Sequence, residues 1–158
     1  MITMKAVDFA LSQKNSIDQL ELVGTILWNK AKLVTHFSCL SQAERHFVYI
    51  DIFESELNHG GLFSFYFNNS GAYAHEVLTA FEAVKAFESA HIFYKSLRVF
   101  SDLPVPKDIF LRRQNINELS EYSKNKWLEL EQDFINTSEN LVELILDYVK
   151  KNKSYFEY

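Results

Sequence analysis

The chain has 158 residues, a formal net charge of −5 and a hydrophobic content of 47%. This length and composition suit a folded globular protein with its own core, and they exclude a disordered chain. With only four glycines and two prolines, the chain also has too few turn residues for a many-stranded β fold.

Two start signals predict the first long helices. Apolar residues recur at three-four spacing from Ser16, and Ser16 with Gln19 has the form of a capping box. Ser41 and Glu44 repeat that signal for a second helix. We expect Gly60 to end the second helix in a left-handed conformation, which glycine adopts without steric cost.

Helical spacing resumes after an aromatic run at residues 62–67. Apolar positions between residues 74 and 100 predict either one continued helix or two. The only two prolines then mark a break in the chain, where Pro106 suits the first turn of the next helix.

Two C-terminal helices complete the pattern. A polar, acidic helix is predicted over roughly residues 117–134, and Thr137 or Ser138 is expected to cap a last helix with an apolar stripe. The sequence therefore predicts one all-α domain over residues 1–158, a single compact bundle of about six or seven helices.

The compartment is predicted from features that the sequence lacks. Cys39 is the single cysteine, so no internal disulfide indicates an oxidising environment. No apolar run approaches the roughly 20 residues that span a bilayer, and the first residues lack the apolar core of a signal peptide. We therefore expect a cytoplasmic protein without membrane contact.

Charge is distributed unevenly along the chain. Residues 41–94 carry seven acids and two bases, and residues 116–147 carry eight acids and two bases. Direct binding to nucleic acid needs clustered Lys and Arg, so these blocks argue against it. They favour either a solvated surface or docking to a basic protein.

Carboxylates on the predicted helices are the candidates for a docking face. Several of them recur at three-four spacing and so share a helix face. A plain solvated face is the alternative interpretation of the same pattern. The candidate partner-binding residues are Asp51, Glu54, Glu118, Glu121, Glu139, Glu143 and Asp147.

The histidines could instead indicate a small metal- or ligand-dependent enzyme. His59 and His75 flank the glycine-rich stretch, and Asn68 and Glu76 lie near them in the sequence. However, the chain has no H-E-x-x-H motif, no paired E-x-x-H and no cysteine cluster. We therefore predict no metal and no cofactor, and an enzyme around His59 and His75 stays the weaker alternative.

Nucleophilic and nucleotide-binding motifs are equally weak. Cys39 follows His36 by three residues, but the sequence around them gives no context that activates the thiol. No serine lies in a G-x-S-x-G frame, and Gly60-Gly61 lacks the Lys-Ser/Thr of a phosphate loop. We predict no catalytic residue and no enzymatic activity.

A family resemblance begins at the stretch "ELNHGGLFSFYFNNSGAYAHEVLTAFEAVKAFESAHIFYKSLRVF" and continues through Arg112-Arg113 and the last two predicted helices. Over about residues 40–152 the chain resembles a bacterial family of unknown function whose best-known member is a DNA-mimic protein. The chain departs from the family at His59, where an Asn is usual, and at Lys85-Ala86, where Gly-Ala is usual. The motif residues that match are Gly60, Gly61, Tyr66, Asn68, Ser70 and Gly71.

The resemblance implies an all-α fold and a binding role rather than a catalytic one. It implies that surface carboxylates occupy the DNA-binding surface of a basic protein, such as a transcription factor. An immunity or antitoxin-like protein that neutralises a basic toxin is the alternative, and homodimerisation is a further option. We interpret the motif itself as structural, with Asn68, Asn69 and Ser70 as turn and cap groups for the next helix.

Overall fold

The computed structural model describes residues 4–32 and 37–156. Within these ranges the chain forms eight α-helices and no strand, so the all-α prediction is confirmed and the expected number of helices is too low. His36 lies outside the described residues. The helices are α1 (Ala6–Leu11), α2 (Ser16–Lys32), α3 (Gln42–Phe67), α4 (Ala74–Ala83), α5 (Phe87–Leu97), α6 (Ile109–Asn117), α7 (Glu121–Asn136) and α8 (Leu141–Lys151).

Short 3₁₀ turns lie between helices at Phe37–Cys39 and Asn69–Tyr73, and a third follows α8 at Lys153–Tyr155. None of the helices in residues 4–32 and 37–156 is both long and apolar enough to cross a bilayer.

The segment from residue 74 to residue 100 forms two helices because the chain reverses at Lys85. This residue has a φ of 64°, in the left-handed region that glycine occupies most easily. The resemblance places a glycine at this position, and the backbone geometry explains why glycine suits it.

Helix capping agrees with the sequence only in part. The capping box of α3 is confirmed, since Ser41 Oγ accepts from Glu44 N at 3.1 Å and Glu44 Oε1 accepts from Ser41 N at 2.8 Å. The box expected at Ser16 is wrong. Asn15 Oδ1 accepts from Asp18 N at 2.9 Å instead, and the Ser16 hydroxyl donates to Glu143 on α8.

Two further start residues also differ from the prediction. Asp108 caps α6 by accepting from Leu111 N at 2.8 Å, so Pro106 lies before the helix rather than in its first turn. Asn140 caps α8, where Thr137 or Ser138 was expected. Both helices are capped by a side-chain oxygen, as is usual at helix N-termini.

The core is built around α3, which packs against α2, α4, α6 and α7. Phe53 lies at its centre and meets Phe65, Phe81 and Phe93 edge to face, with ring centroids 5.0–5.5 Å apart. Such aromatic pairs add about 0.5–1.5 kcal/mol each beyond the area they bury. The phenylalanine-rich composition is therefore mainly a property of the core.

Helix α3 does not end at the Gly-Gly pair but bends there. Gly61, not Gly60, has the positive φ (77°, with ψ −168°), and the helix resumes directly after it. Glu131 on α7 accepts a hydrogen bond from Leu62 N at 2.7 Å, so it caps the second segment of α3 from outside the helix. The prediction that Gly60 ends the helix is therefore wrong in two respects: the residue with positive φ is Gly61, and the helix continues after it.

Candidate protein-docking surface

The glycine-rich motif builds a buried junction rather than an open polar site. Gly61, Phe65 and Tyr66 are buried, and Phe63 keeps 42% of its surface exposed. The Tyr66 hydroxyl donates to Ser96 Oγ at 2.5 Å, because the Ser96 proton goes to Phe93 O. Burial raises the pKa of Tyr66, so this hydroxyl stays protonated.

Arg112 holds this junction together from inside the protein. Its side chain is fully buried, and its guanidinium donates to the carbonyls of Tyr66, Asn68, Pro106 and Lys107 at 2.6–2.9 Å. Burial, and then the neighbouring Arg113, lower the pKa of Arg112. The guanidinium thus gathers the last carbonyls of α3 and the loop before α6 around one cation.

Two matched motif positions, Gly71 and Ser70, serve the same junction. A Cβ on Gly71 would overlap Arg112 Nε and lie 2.6 Å from Tyr66 O, so only glycine allows the arginine this close. Ser70 Oγ donates to Phe65 O at 2.8 Å. Asn68 makes no side-chain cap to the following turn, contrary to our expectation for Asn68 and Ser70.

The two histidines of the enzyme hypothesis do not meet. His59 is exposed, and its Nδ1 contacts Ser55 O of its own helix at 2.6 Å. His75 Nε2 accepts from Val105 N at 2.9 Å and borders a cleft of about 330 Å³ in which His59 has no part. Glu76, which also borders this cleft, pairs with Lys107 at 2.5 Å.

No group of three or more His, Cys, Asp or Glu side chains in residues 4–32 and 37–156 is arranged to hold an ion.

Two of the predicted docking carboxylates face inward. Glu139 accepts from Glu88 N at 2.6 Å, from Ser89 N at 3.0 Å and from Ser89 Oγ at 2.8 Å, so it caps the start of α5. Glu143 accepts from the Ser16 hydroxyl on α2. Both carboxylates therefore stabilise contacts between helices.

Three others are exposed but lie apart from the rest. Glu118 and Glu121 flank the α6–α7 junction, where Glu121 is 3.8 Å from Lys124. Asp147 is exposed on α8. None of these three lines the cleft that Asp51 and Glu54 share.

Asp51 and Glu54 border a groove of about 650 Å³ between α2, α3 and α8. Its apolar residues include Phe47, Ile50 and Ile145. A second cleft, of about 530 Å³, adjoins it, because Glu54 and Leu141 line both. We call the two together the acidic concavity.

The acidic concavity is lined by carboxylates from three helices and from the loop between α7 and α8. Five carboxylates and one lysine border it among the described residues. Asp51 accepts from Trp28 Nε1 at 2.6 Å. Burial, and then the nearby Asp51, raise the pKa of Glu54. The carboxylates are Glu21, Asp51, Glu54, Glu131 and Glu139, and the lysine is Lys32.

A glycine in the middle of α2 also lines the groove. Gly24 is helical, and a Cβ built on it would lie 3.7 Å from the Phe47 ring, an ordinary contact. A helix-interior glycine costs about 0.5–1 kcal/mol relative to alanine. Neither the backbone nor the packing of Gly24 requires glycine here.

The family of this chain is shown by its similarity to a known family model. A family model described as DMP19-like protein matches residues 38–152. The chain belongs to this family. Comparisons with curated proteins and with solved structures gave no significant match. The DMP19-like match covers α3 to α8 and leaves out α1 and α2, so one wall of the groove lies outside the family region.

Proposed function

We propose that the protein is a non-enzymatic binding protein that receives the basic, DNA-binding surface of another protein in its acidic concavity. The observation that carries this proposal is the set of five carboxylates, against one lysine, that line two adjoining clefts. Membership of the DMP19-like family supports it, because the family's best-known member is a DNA mimic.

Electrostatics favours a basic partner over any other. Clefts lined by one sign of charge focus the field, because their protein walls have a low dielectric constant. Such a field raises the rate at which oppositely charged proteins associate and repels nucleic acid. A protein surface that binds phosphates carries the Lys and Arg that this field attracts.

The carboxylates of the concavity divide into two groups. Glu131 and Glu139 are committed to backbone N–H groups, so they add to the field but have little freedom to bind a partner. Glu21, Asp51 and Glu54 border the groove without such backbone caps. We assign partner contact to these three.

A non-enzymatic role fits the arrangement of the histidines. Catalysis by His59 and His75 would require both side chains to reach one substrate. His75 is held by Val105 N, and His59 contacts its own helix.

The proposal is tested by isosteric neutralisation. The variant Glu21→Gln/Asp51→Asn/Glu54→Gln removes three charges and keeps the side-chain shapes and the acceptor for Trp28. A control variant, Glu118→Gln/Glu129→Gln/Asp147→Asn, removes the same net charge at exposed positions outside the concavity. Each protein serves as bait in host extract at low and high salt, and the eluted proteins are identified.

The triple variant in the concavity should lose about tenfold in affinity, since three contacts of about 0.5 kcal/mol sum to about 1.5 kcal/mol, close to the roughly 1.4 kcal/mol of one decade. Its binding should also depend less steeply on salt. Equal losses in both variants would refute a localised surface. A captured nuclease rather than a transcription factor would favour the immunity role.

A further inference from the structure

The groove between α2, α3 and α8 combines an apolar floor with an acidic rim. Leu20, Leu141 and Val142 are only partly buried and supply accessible apolar surface above the buried core. Carboxylates border this surface on α2 and α3. Its volume of about 650 Å³ falls within the roughly 300–1,000 Å³ that is usual for pockets that bury a ligand. A solvated acidic face would need no apolar floor.

Gly24 is a second observation that favours ligand binding in the groove, because the fold itself does not require a glycine there. It carries a normal helical backbone, since Gly61 is the glycine with positive φ in the described ranges. A methyl group at Gly24 would make only an ordinary contact with Phe47. The fold would therefore gain helix propensity from alanine, and glycine instead leaves the groove open along α2.

The wall of the groove is held in place before any partner arrives. The half-buried Trp28 ring packs edge-on against Phe37, with centroids 5.8 Å apart. Its indole N–H donates to Asp51 at 2.6 Å, which ties α2 to α3 across the groove. A wall fixed in this way loses little entropy when a ligand binds.

We infer that the groove takes the apolar face of a basic amphipathic helix of the partner. This inference rests on the proposed function and names the partner element that enters the concavity. Aliphatic side chains at three-four spacing would fill the floor around Gly24. Lysines or arginines beside that stripe would meet Glu21, Asp51 and Glu54 on the rim.

The inference is tested with the full-length protein and synthetic helices. The probe is a fluorescein-labelled peptide of leucine and lysine with leucines at three-four spacing. One control peptide replaces each lysine by glutamate, and another replaces each leucine by serine. Fluorescence anisotropy gives the affinities. We expect the leucine–lysine peptide to bind at least tenfold more tightly than either control.

Variants of the protein locate the binding site. Gly24→Leu should fill the groove and weaken peptide binding at least tenfold while the melting temperature stays the same or rises. Asn125→Leu, which adds the same side chain on an exposed position of α7, should bind as the wild type does. Gly24→Ala should raise the melting temperature, which shows that the fold does not need this glycine.

Several results would overturn the inference. Unchanged binding to Gly24→Leu would mean that the peptide binds outside the groove. Equal binding of the serine–lysine peptide would mean that the groove recognises only charge and not an apolar helix face. A dimer that Gly24→Leu dissociates in sedimentation would mean that a second copy fills the groove. If neutralising Glu21, Asp51 and Glu54 still weakens partner capture about tenfold in these cases, the proposed function survives and the groove inference alone is lost.

Discussion

Replacing Arg112 by methionine tests what holds the turn after α3 in place. Methionine keeps much of the buried side-chain volume and removes the guanidinium. The four carbonyls that it binds, of Tyr66, Asn68, Pro106 and Lys107, then lose their donor. The substitution therefore isolates the hydrogen bonds from the packing.

The magnitude follows from the burial of these groups. A buried polar group left unsatisfied costs about 1–3 kcal/mol, but relief of the buried charge and water at the loop carbonyls offset part of the total. We expect a loss of about 3–5 kcal/mol, which is large against a total stability of about 5–15 kcal/mol. At about 2–4 °C per kcal/mol for a chain of this size, the melting temperature should fall by about 10 °C.

Urea denaturation followed by far-UV circular dichroism measures the free energy of unfolding. Arg113→Met is the matched control, because Arg113 makes one hydrogen bond, to Phe67 O at 2.8 Å, and lies over the Phe67 ring. It should cost about 1 kcal/mol. Arg112→Lys should recover less than half of the loss, since an ammonium cannot span four carbonyls. A loss below about 1 kcal/mol for Arg112→Met would refute the role assigned to this residue.

Four further substitutions test separate parts of the structure, by thermal or urea unfolding. Lys85→Gly should stabilise the protein by about 0.5–1 kcal/mol, because the residue has a positive φ. Gly61→Ala should cost about 1–3 kcal/mol or more, since its φ and ψ suit only glycine and its Cβ would overlap Glu131. Glu139→Ala should cost about 1–3 kcal/mol by uncapping α5. Glu54→Gln should be more stable than the wild type at pH 7. Because the pKa of Glu54 is raised in the folded protein, the ionised side chain opposes folding at pH values above its ordinary pKa of 4.5. The difference in stability between the variant and the wild type should therefore vanish near pH 4.

Local signals in the sequence predicted only part of the local structure. The capping box of Ser41 and Glu44 lies within one turn, so both partners are visible in the sequence. The choice between Gly60 and Gly61 was not visible, because either glycine can adopt a positive φ. What lets α3 resume after Gly61 is a hydrogen bond from Leu62 N to Glu131, which lies far along the chain.

The same limit applies to the carboxylates. Spacing on a helix face predicts which acids share a side, but it gives no information about their distant partners. Glu139 and Glu143 were candidates for docking, but in the structure they accept hydrogen bonds from the hydroxyls of Ser89 and Ser16. Glu21 borders the groove with Asp51 and was missed, because α2 and α3 are brought together only by tertiary packing.

The burial of Arg112 was also beyond sequence reasoning. Arginine is almost never fully buried unless its charge is satisfied, and its acceptors here are backbone carbonyls, which every residue carries. Gly71 was the available signal, because a glycine can mark a place where another group approaches the backbone closely.

The central claim is that the acidic concavity and duplex DNA compete for one basic surface. The direct measurement uses the captured DNA-binding protein with its labelled duplex and follows anisotropy as this protein is added. The wild type should release the duplex completely, and Glu21→Gln/Asp51→Asn/Glu54→Gln should need about tenfold more protein. The control Glu118→Gln/Glu129→Gln/Asp147→Asn should match the wild type. A complex in which both this protein and the duplex stay bound, or equal release by the triple variant in the concavity, would contradict the claim.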